Sequence, residues 1–395
     1  MFQKVWSIFQ KKAVGVSSPS ALPFFGVLAT ASGQAVTASS ALKVPAVACA
    51  VSLIAETVGS LPVKLYAQED RAAVKDHPAY KLIHDEANPW TSAQALREEL
   101  TTDALLTGHG FALVVRNGAG DPVELHRLPP ETAQIEADDF GEPTYTVRYA
   151  DGSRSYAYQD VVHIQAFGGA SPITLGREAI GLAMAFEGHI AKLFANGASP
   201  GGVITNPKTM GEESKTNLGR AWNDKFSGPK AGGVAILDEG MQYHQITMTL
   251  TDAQFAENRL EQIREIARVF RVPPTMLFEL TRGTWSNTEE MARQFLQVTL
   301  KPWLTEWTWA YSRCLLTADE RRELYAEFVT DDLTTTDTAA RAAAYGQYRS
   351  MGVLTANEVR AGLNLSPRED GNILQNPYTT TGAIPAPTPK ETPDE

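Results

Sequence analysis

Two amphipathic stretches, residues 174–196 and 252–271, stand on either side of a short module at 201–248. That arrangement constrains the chain more than any single motif does. In the second stretch Ala256, Leu260, Ile263, Ala267 and Phe270 recur at spacings of four, three, four and three, a narrow apolar seam. Glu257, Glu261 and Glu265 stand beside Arg259, Arg264, Arg268 and Arg271 on the remaining faces. A seam this narrow, flanked by both signs of charge, suits a helix packed against neighbours on more than one side. At ~1.5 Å per residue it is about 30 Å long. If the two helices run antiparallel, the ends of the module between them meet and it can protrude.

The rest of the chain reads as α+β. Residues 13–40 are rich in Ala, Ser, Gly and Thr without periodicity and read as a flexible arm. Val47, Val51, Ile54 and Val58 predict an amphipathic helix from Pro45 to Gly59, and Leu61–Tyr66 a strand. A helix over 92–107 ends at Gly108 and Gly110. A hairpin around Asn117-Gly118 and alternating strands to residue 165 follow. The module comprises a strand (GGVIT), a helix over 211–226 and a hairpin-like stretch, GGVAILDEGMQYHQI. Pro273-Pro274 closes helix 252–271, and a loop leads to a long helix over 288–316, where Pro302 predicts a kink. Ser286 with Glu289, or Asn287 with Glu290, offers that helix a capping box. Two helices fill 334–364, and the Pro/Thr-rich tail from Asn376 reads as disordered.

Enzymatic chemistry is scarce. Gly197-Ala198-Ser199-Pro200-Gly201 fits the G-x-S-x-G pattern, so a serine hydrolase built on Ser199 has to be weighed. The elbow needs strand–turn–helix, whereas the order here is helix–turn–strand. Proline at 200 also removes the backbone donor that should follow the nucleophile. Gly197 and Pro200 are better read as a helix stop. No G-x-x-x-x-G-K-[ST] and no H-E-x-x-H occurs, and His84-Asp85-Glu86 cannot converge on one ion. His126 and His163 fall in strands and read as structural groups. Two cysteines, Cys49 and Cys314, lack metal-site spacing. The sequence calls for no cofactor and no metal. Nor does any apolar run span a bilayer: Val44–Ala55 is too short and contains Pro45. MFQKVWSIFQKK lacks the core of a signal peptide. A net charge of −11 excludes simple electrostatic capture of nucleic acid.

VPAVACAVSLIAETVGSLPVKLY and HPAYKLIHDEANPWTSAQALREELTTDALLTGHGFALVVRN resemble the opening of phage portal proteins of the HK97 type. The resemblance runs on in order through NGASPGG, TDAQFAENRLEQIREIARVFRVPP, TWSNTEEMARQFLQVTLKPWL and MGVLTANEVRAGLNLSP, covering residues 44 to 367. It implies a structural, non-enzymatic subunit of a dodecameric ring at one capsid vertex. Double-stranded DNA passes its channel without sequence specificity. The partners implied are the terminase large subunit, a head–tail adaptor and the major capsid protein, with no membrane. The particle is a virion or phage-like body such as a gene transfer agent. A smaller head–tail adaptor ring is the other non-enzymatic reading.

Carried over by segment, residues 1–44 are a flexible arm, 45–170 a wing, 171–200 the first stem helix and 201–248 a clip. Residues 249–274 are the second stem helix and 275–287 a tunnel loop. Residues 288–329 are a kinked wing helix with the segment after it, 330–366 a short crown and 367–395 a disordered tail. The resemblance points to Thr281, Arg282, Gly283, Thr284, Trp285 and Ser286 as the loop facing DNA. It points to Glu257, Arg259, Leu260, Glu261, Ile263, Arg264 and Arg268 as stem contacts between subunits. Glu212, Glu213, Lys215, Arg220 and Asp224 form the clip's partner surface, with Trp222 and Phe226 read as clip core.

Overall fold

The computed structural model describes residues 30–195, 202–207, 209–226, 240–245, 252–279, 288–330, 338–363 and 365–374. The chain divides into two compact units, residues 1–330 and 331–395. The first is α+β. Helix α1 (Pro45–Ser60) begins on Pro45, whose missing N–H costs nothing at that position, and buries Val47, Val51, Ile54 and Val58 along one stripe. Strand β1 (Val63–Ala67) follows, then α2 (Pro78–His84) and α3 (Ala93–Thr107), capped by the Ser92 hydroxyl accepting from the Ala95 N–H. Gly108 ends α3 in the left-handed region at φ +101°.

Strands β2 (His109–Arg116), β3 (Pro122–Leu128), β4 (Ala133–Ala137), β5 (Pro143–Tyr149), β6 (Gly152–Ala157) and β7 (Val161–Gln165) build two antiparallel sheets, ordered β3-β2-β7 and β4-β5-β6. The β2–β3 turn is longer than the Asn117-Gly118 expectation. The Asn117 side chain accepts from the N–H groups of Ala119 and Asp121, and Gly120, not Gly118, takes the left-handed position.

Residues 13–40 are not a loose arm throughout. Thr30 is buried against Gly181, the Ala31 N–H donates to Glu178, and Thr37 caps a short helix, Ala38–Ala41. Helix α4 (Arg177–Ala195) is preceded by a separate turn, Pro172–Leu175, where Gly176 lets the chain lie against Val269. Strand β8 (Gly202–Thr205), α5 (Glu212–Phe226) and β9 (Gln242–Gln245) make the small module, with β8 antiparallel to β9. The partner of β9 is therefore GGVIT; residues 227–239 lie outside the described residues.

Helix α6 (Asp252–Phe270) and the segment α7 (Thr288–Gln294) lead to a π-helical turn at Phe295–Leu300, and α8 (Lys301–Leu315) continues it. Pro302, where the sequence suggested a kink, directly follows that π-helical turn. Proline sits in the first turn of α8, where it needs no donor, and the widened turn before it absorbs the missing hydrogen bond. Trp307 of α8 is fully buried and donates from Nε1 to Thr101 Oγ1 at 3.1 Å. Strand β10 (Leu324–Phe328) then returns to pair antiparallel with β1, Val63 facing Phe328. Nothing local in the sequence announces that pairing.

His163 is a structural group, as its strand position suggested. Its Nδ1 lies 3.0 Å from Tyr145 Oη, and its Nε2 lies 3.0 Å from His109 Nδ1. Burial, with His109 and Arg313 adding to it, pushes His163 down to about 3, and burial lowers His109 as well. An unfolded histidine titrates near ~6.5. Between those values the unfolded chain binds a proton that the folded chain refuses, so stability falls as pH drops. At pH 5 the loss from His163 is about 2 kcal/mol. Urea midpoints at pH 7 and pH 5 measure it, and His163→Phe should flatten the difference; an equal slope in that variant contradicts the assignment.

The second unit carries α9 (Thr338–Ser350) and α10 (Ala356–Gly362), the latter opened by a capping box between Thr355 and Glu358. The tail from residue 375 lies outside the described residues.

Candidate functional site

Helices α4 and α6 pack against each other. Gly176, just before α4, meets Val269 near the end of α6. Further along, Ala183, Phe186 and Ile190 share an apolar cavity of about 60 Å³ with Arg259, Ile263 and Ile266. The start of one helix thus faces the end of the other, and the pair is antiparallel. Beyond it, Gly202 lies opposite Gln245 in the β8–β9 ladder, so the small module closes at its base. Val44, Pro45 and Ala46 line the same cavity, which gives α6 a second partner in α1. The seam read from spacing is therefore used twice. Ala267 and Phe270 are buried, while Leu260 and Ile263 are half-buried.

Charge on α6 divides by depth. Glu257 and Arg259 are exposed. Arg264 donates to Glu261 and to Glu279, each at 3.3 Å, and Glu279 is only 5% exposed. Arg268 donates to Glu261 at 3.3 Å and also to Glu265. The exposed pairs contribute little, about 0–1 kcal/mol each. The Arg264–Glu279 bond differs because it ties mid-α6 to the residue that precedes segment 280–287. Sequence reasoning missed Glu279. Its signal was a carboxylate among apolar neighbours in MLFEL, which burial forces to find a donor.

Helix α6 ends in a Schellman motif. The Val272 N–H donates to the Ala267 carbonyl at 2.9 Å and the Arg271 N–H to the Arg268 carbonyl at 3.1 Å. Arg271 occupies the left-handed position at φ +56°, normally glycine's, and its guanidinium stands 5.4 Å from the Phe167 ring. Phe278 also takes a left-handed conformation, at φ +62°, and its side chain is 83% exposed. Strain of this kind costs about 1–3 kcal/mol per residue and collects at working segments. Between Arg264 and Arg268 of α6, Arg271 just beyond its end, Pro273-Pro274, and Gln294 and Val298 lies a cavity of about 230 Å³.

Thr281, Arg282, Gly283, Thr284, Trp285 and Ser286 lie outside the described residues, as do Ser199 and the capping box that begins at Ser286 or Asn287. The elements around Ser199 are described: helix α4 precedes it and strand β8 follows, the reverse of a nucleophile elbow. On the small module Glu212, Glu213, Lys215 and Arg220 are all exposed on α5, Lys215 pairs with Glu212 at 2.7 Å, and Trp222 is half-buried. Asp224 sits in the same helix. Among the described residues no group of histidine, cysteine and carboxylate side chains could hold a metal ion, and no helix is long and apolar enough to cross a membrane.

Residues 45–364 match the phage portal protein family. The chain belongs to that family. The portal protein of Enterobacteria phage HK97 is 31% identical over 346 residues, covering 84% of this chain and 81% of the relative. Two solved structures share the fold of this portal chain. A portal protein of the HK97 family from Corynebacterium diphtheriae has a TM-score of 0.59 at 16% identity, covering 76% of this chain and 98% of that one. The neck of a native gene transfer agent particle, computed with twelvefold symmetry, has a TM-score of 0.57 at 22% identity, covering 92% and 99%. The α+β portal fold expected from the sequence is the fold found.

Proposed function

We propose that this portal chain is one subunit of a twelve-membered ring at a single capsid vertex, a structural conduit for double-stranded DNA during packaging and ejection. The observation that carries the reading is the antiparallel α4–α6 pair with the β8–α5–β9 module closed at its far end. Repeated about an axis, such a pair makes a wall, and the module makes a rim. The number twelve follows the symmetry named for the gene transfer agent neck. In this reading α4 and α6 are the stem, residues 201–248 the clip, and 275–287 the tunnel loop, with Arg282 and Trp285 turned to the lumen. Residues 45–170 with the segment 288–329 are the wing, and residues 330–366 are a short crown.

The terminase large subunit, and later a head–tail adaptor, dock on the exposed charged face of α5. The major capsid protein surrounds the wing. Charge favours a passive conduit. Twelve subunits of −11 sum to −132, and an acidic channel does not hold phosphates by counterion release. The chain itself carries out no catalysis. Electron micrographs of the purified protein should show rings with a central hole. Particles carrying Arg282→Ala with Trp285→Ala should package measurably less DNA. A stable monomer at every concentration sinks the ring, and unchanged packaging in the double variant removes the loop's contact with DNA.

A further inference from the structure

Thr30, the first described residue, is fixed on α4. It is 5% exposed, and its side chain fills the space that a Cβ on Gly181 would need. Its N–H donates to the Gln34 carbonyl at 2.9 Å, and the Ala31 N–H donates to Glu178 at 2.9 Å. The chain before Thr30 therefore starts from a set point on α4. Leu22-Pro23-Phe24-Phe25-Gly26-Val27-Leu28-Ala29 precedes that point, and six of these eight residues are apolar. A run of this composition gains by leaving water for an apolar surface within its reach.

Such a surface lies close by. The cavity between α1, α4 and α6 has a volume of about 60 Å³, and Ile190 and Ile263 on its wall are only half-buried. Gln262 lines it too, and its side-chain oxygen is buried without a hydrogen-bond partner. A buried amide oxygen calls for an N–H donor, and a half-open apolar wall calls for an apolar cover. An extended peptide supplies both, because its side chains alternate from face to face while its main chain offers N–H groups at regular intervals. Ala183 and Ile190 stand two and nine positions along α4 from Gly181, about 3 and 14 Å at ~1.5 Å per residue. Eight extended residues span up to about 26 Å, so a strand that starts at Thr30 can cover the groove from end to end.

We propose that residues 22–29 dock across this groove in their own chain. One ring of the Phe24-Phe25 pair enters the cavity, and a main-chain N–H of the segment donates to the Gln262 oxygen. The segment read from composition as part of a loose arm thereby becomes the cover of the α1–α4–α6 junction. The inference does not depend on the ring reading.

Photo-cross-linking of the full-length chain tests it. Phe24 and Phe25 are replaced in turn by p-benzoylphenylalanine, and isotopically heavy and light chains are mixed before irradiation. One of the two positions should cross-link to Phe186, Ile190 or Ile263, in products that are wholly heavy or wholly light. Products of mixed isotope overturn the inference, because the groove then receives the arm of another copy. Cross-links elsewhere from both positions, or none, overturn it as well. In an independent measurement, Phe24→Ser with Phe25→Ser should raise hydroxyl-radical labelling of Ile190 and Ile263 at least threefold in the dilute subunit. Labelling equal to that of the wild-type chain contradicts the docking.

Discussion

Arg97→Leu should cost about 3–5 kcal/mol and leave little folded subunit, because it strands three buried carbonyl oxygens at once. Arg97 is 2% exposed. It donates from Nη1 to the Ile83 carbonyl at 2.7 Å and from Nη2 to the carbonyls of Gly59 and Leu61 at 2.9 and 3.2 Å. Those oxygens belong to the end of α2, the end of α1 and the approach to β1, so one guanidinium pins three elements to α3. The Phe328 ring stands 6.0 Å away, which brings β10 to the same point. Domains hold together by about 5–15 kcal/mol in total, so a loss of this size approaches the whole margin. Urea unfolding measures it. Arg97→Lys keeps the charge but not the fork of donors and should recover only part of the loss. An Arg97→Leu chain with a wild-type midpoint refutes the account.

Gly110→Ala should be nearly as damaging, about 3 kcal/mol, although it adds a single methyl group. A Cβ at that position runs into the Leu100 carbonyl oxygen, where the backbone of β2 crosses α3 at contact distance. The obstacle is backbone on both sides, so neither can yield without moving α3 and the Arg97 cluster with it. Gly118→Ala is the control, since nothing lies within 4 Å of a Cβ there. Equal yields and equal melting temperatures for the two alanine variants would show that the crossing is looser than described.

The two glycines at the α3–β2 junction, Gly108 and Gly110, also show what a sequence reading can reach. Gly108 and Gly110 both read as helix terminators. Gly108 is one, with φ at +101°, while Gly110 is required by a crossing against the Leu100 backbone that no local pattern contains. Periodicity was dependable where one face of a helix meets one partner: Val47, Val51, Ile54 and Val58 all go inside. It was silent about Arg97, because an arginine in REEL looks like solvated surface until three carbonyls are seen to converge on it. The α6 seam was legible and so was its pairing with α4, but the depth of Glu279 was not. The π-turn at Phe295–Leu300 escaped for a related reason. Pro302 announces trouble in the ladder without saying which side of it will deform.

The β1–β10 ladder bears on how the subunit is made. Val63–Ala67 emerges early during synthesis, and its partner Leu324–Phe328 emerges only after α4, the β8–α5–β9 module and α6. Until then β1 has no strand beside it, and the Arg97 cluster lacks the Phe328 ring. Pairings so distant along the chain close slowly and leave a bare strand edge exposed in the meantime. A nascent chain cut short anywhere before residue 328 therefore cannot complete its first unit.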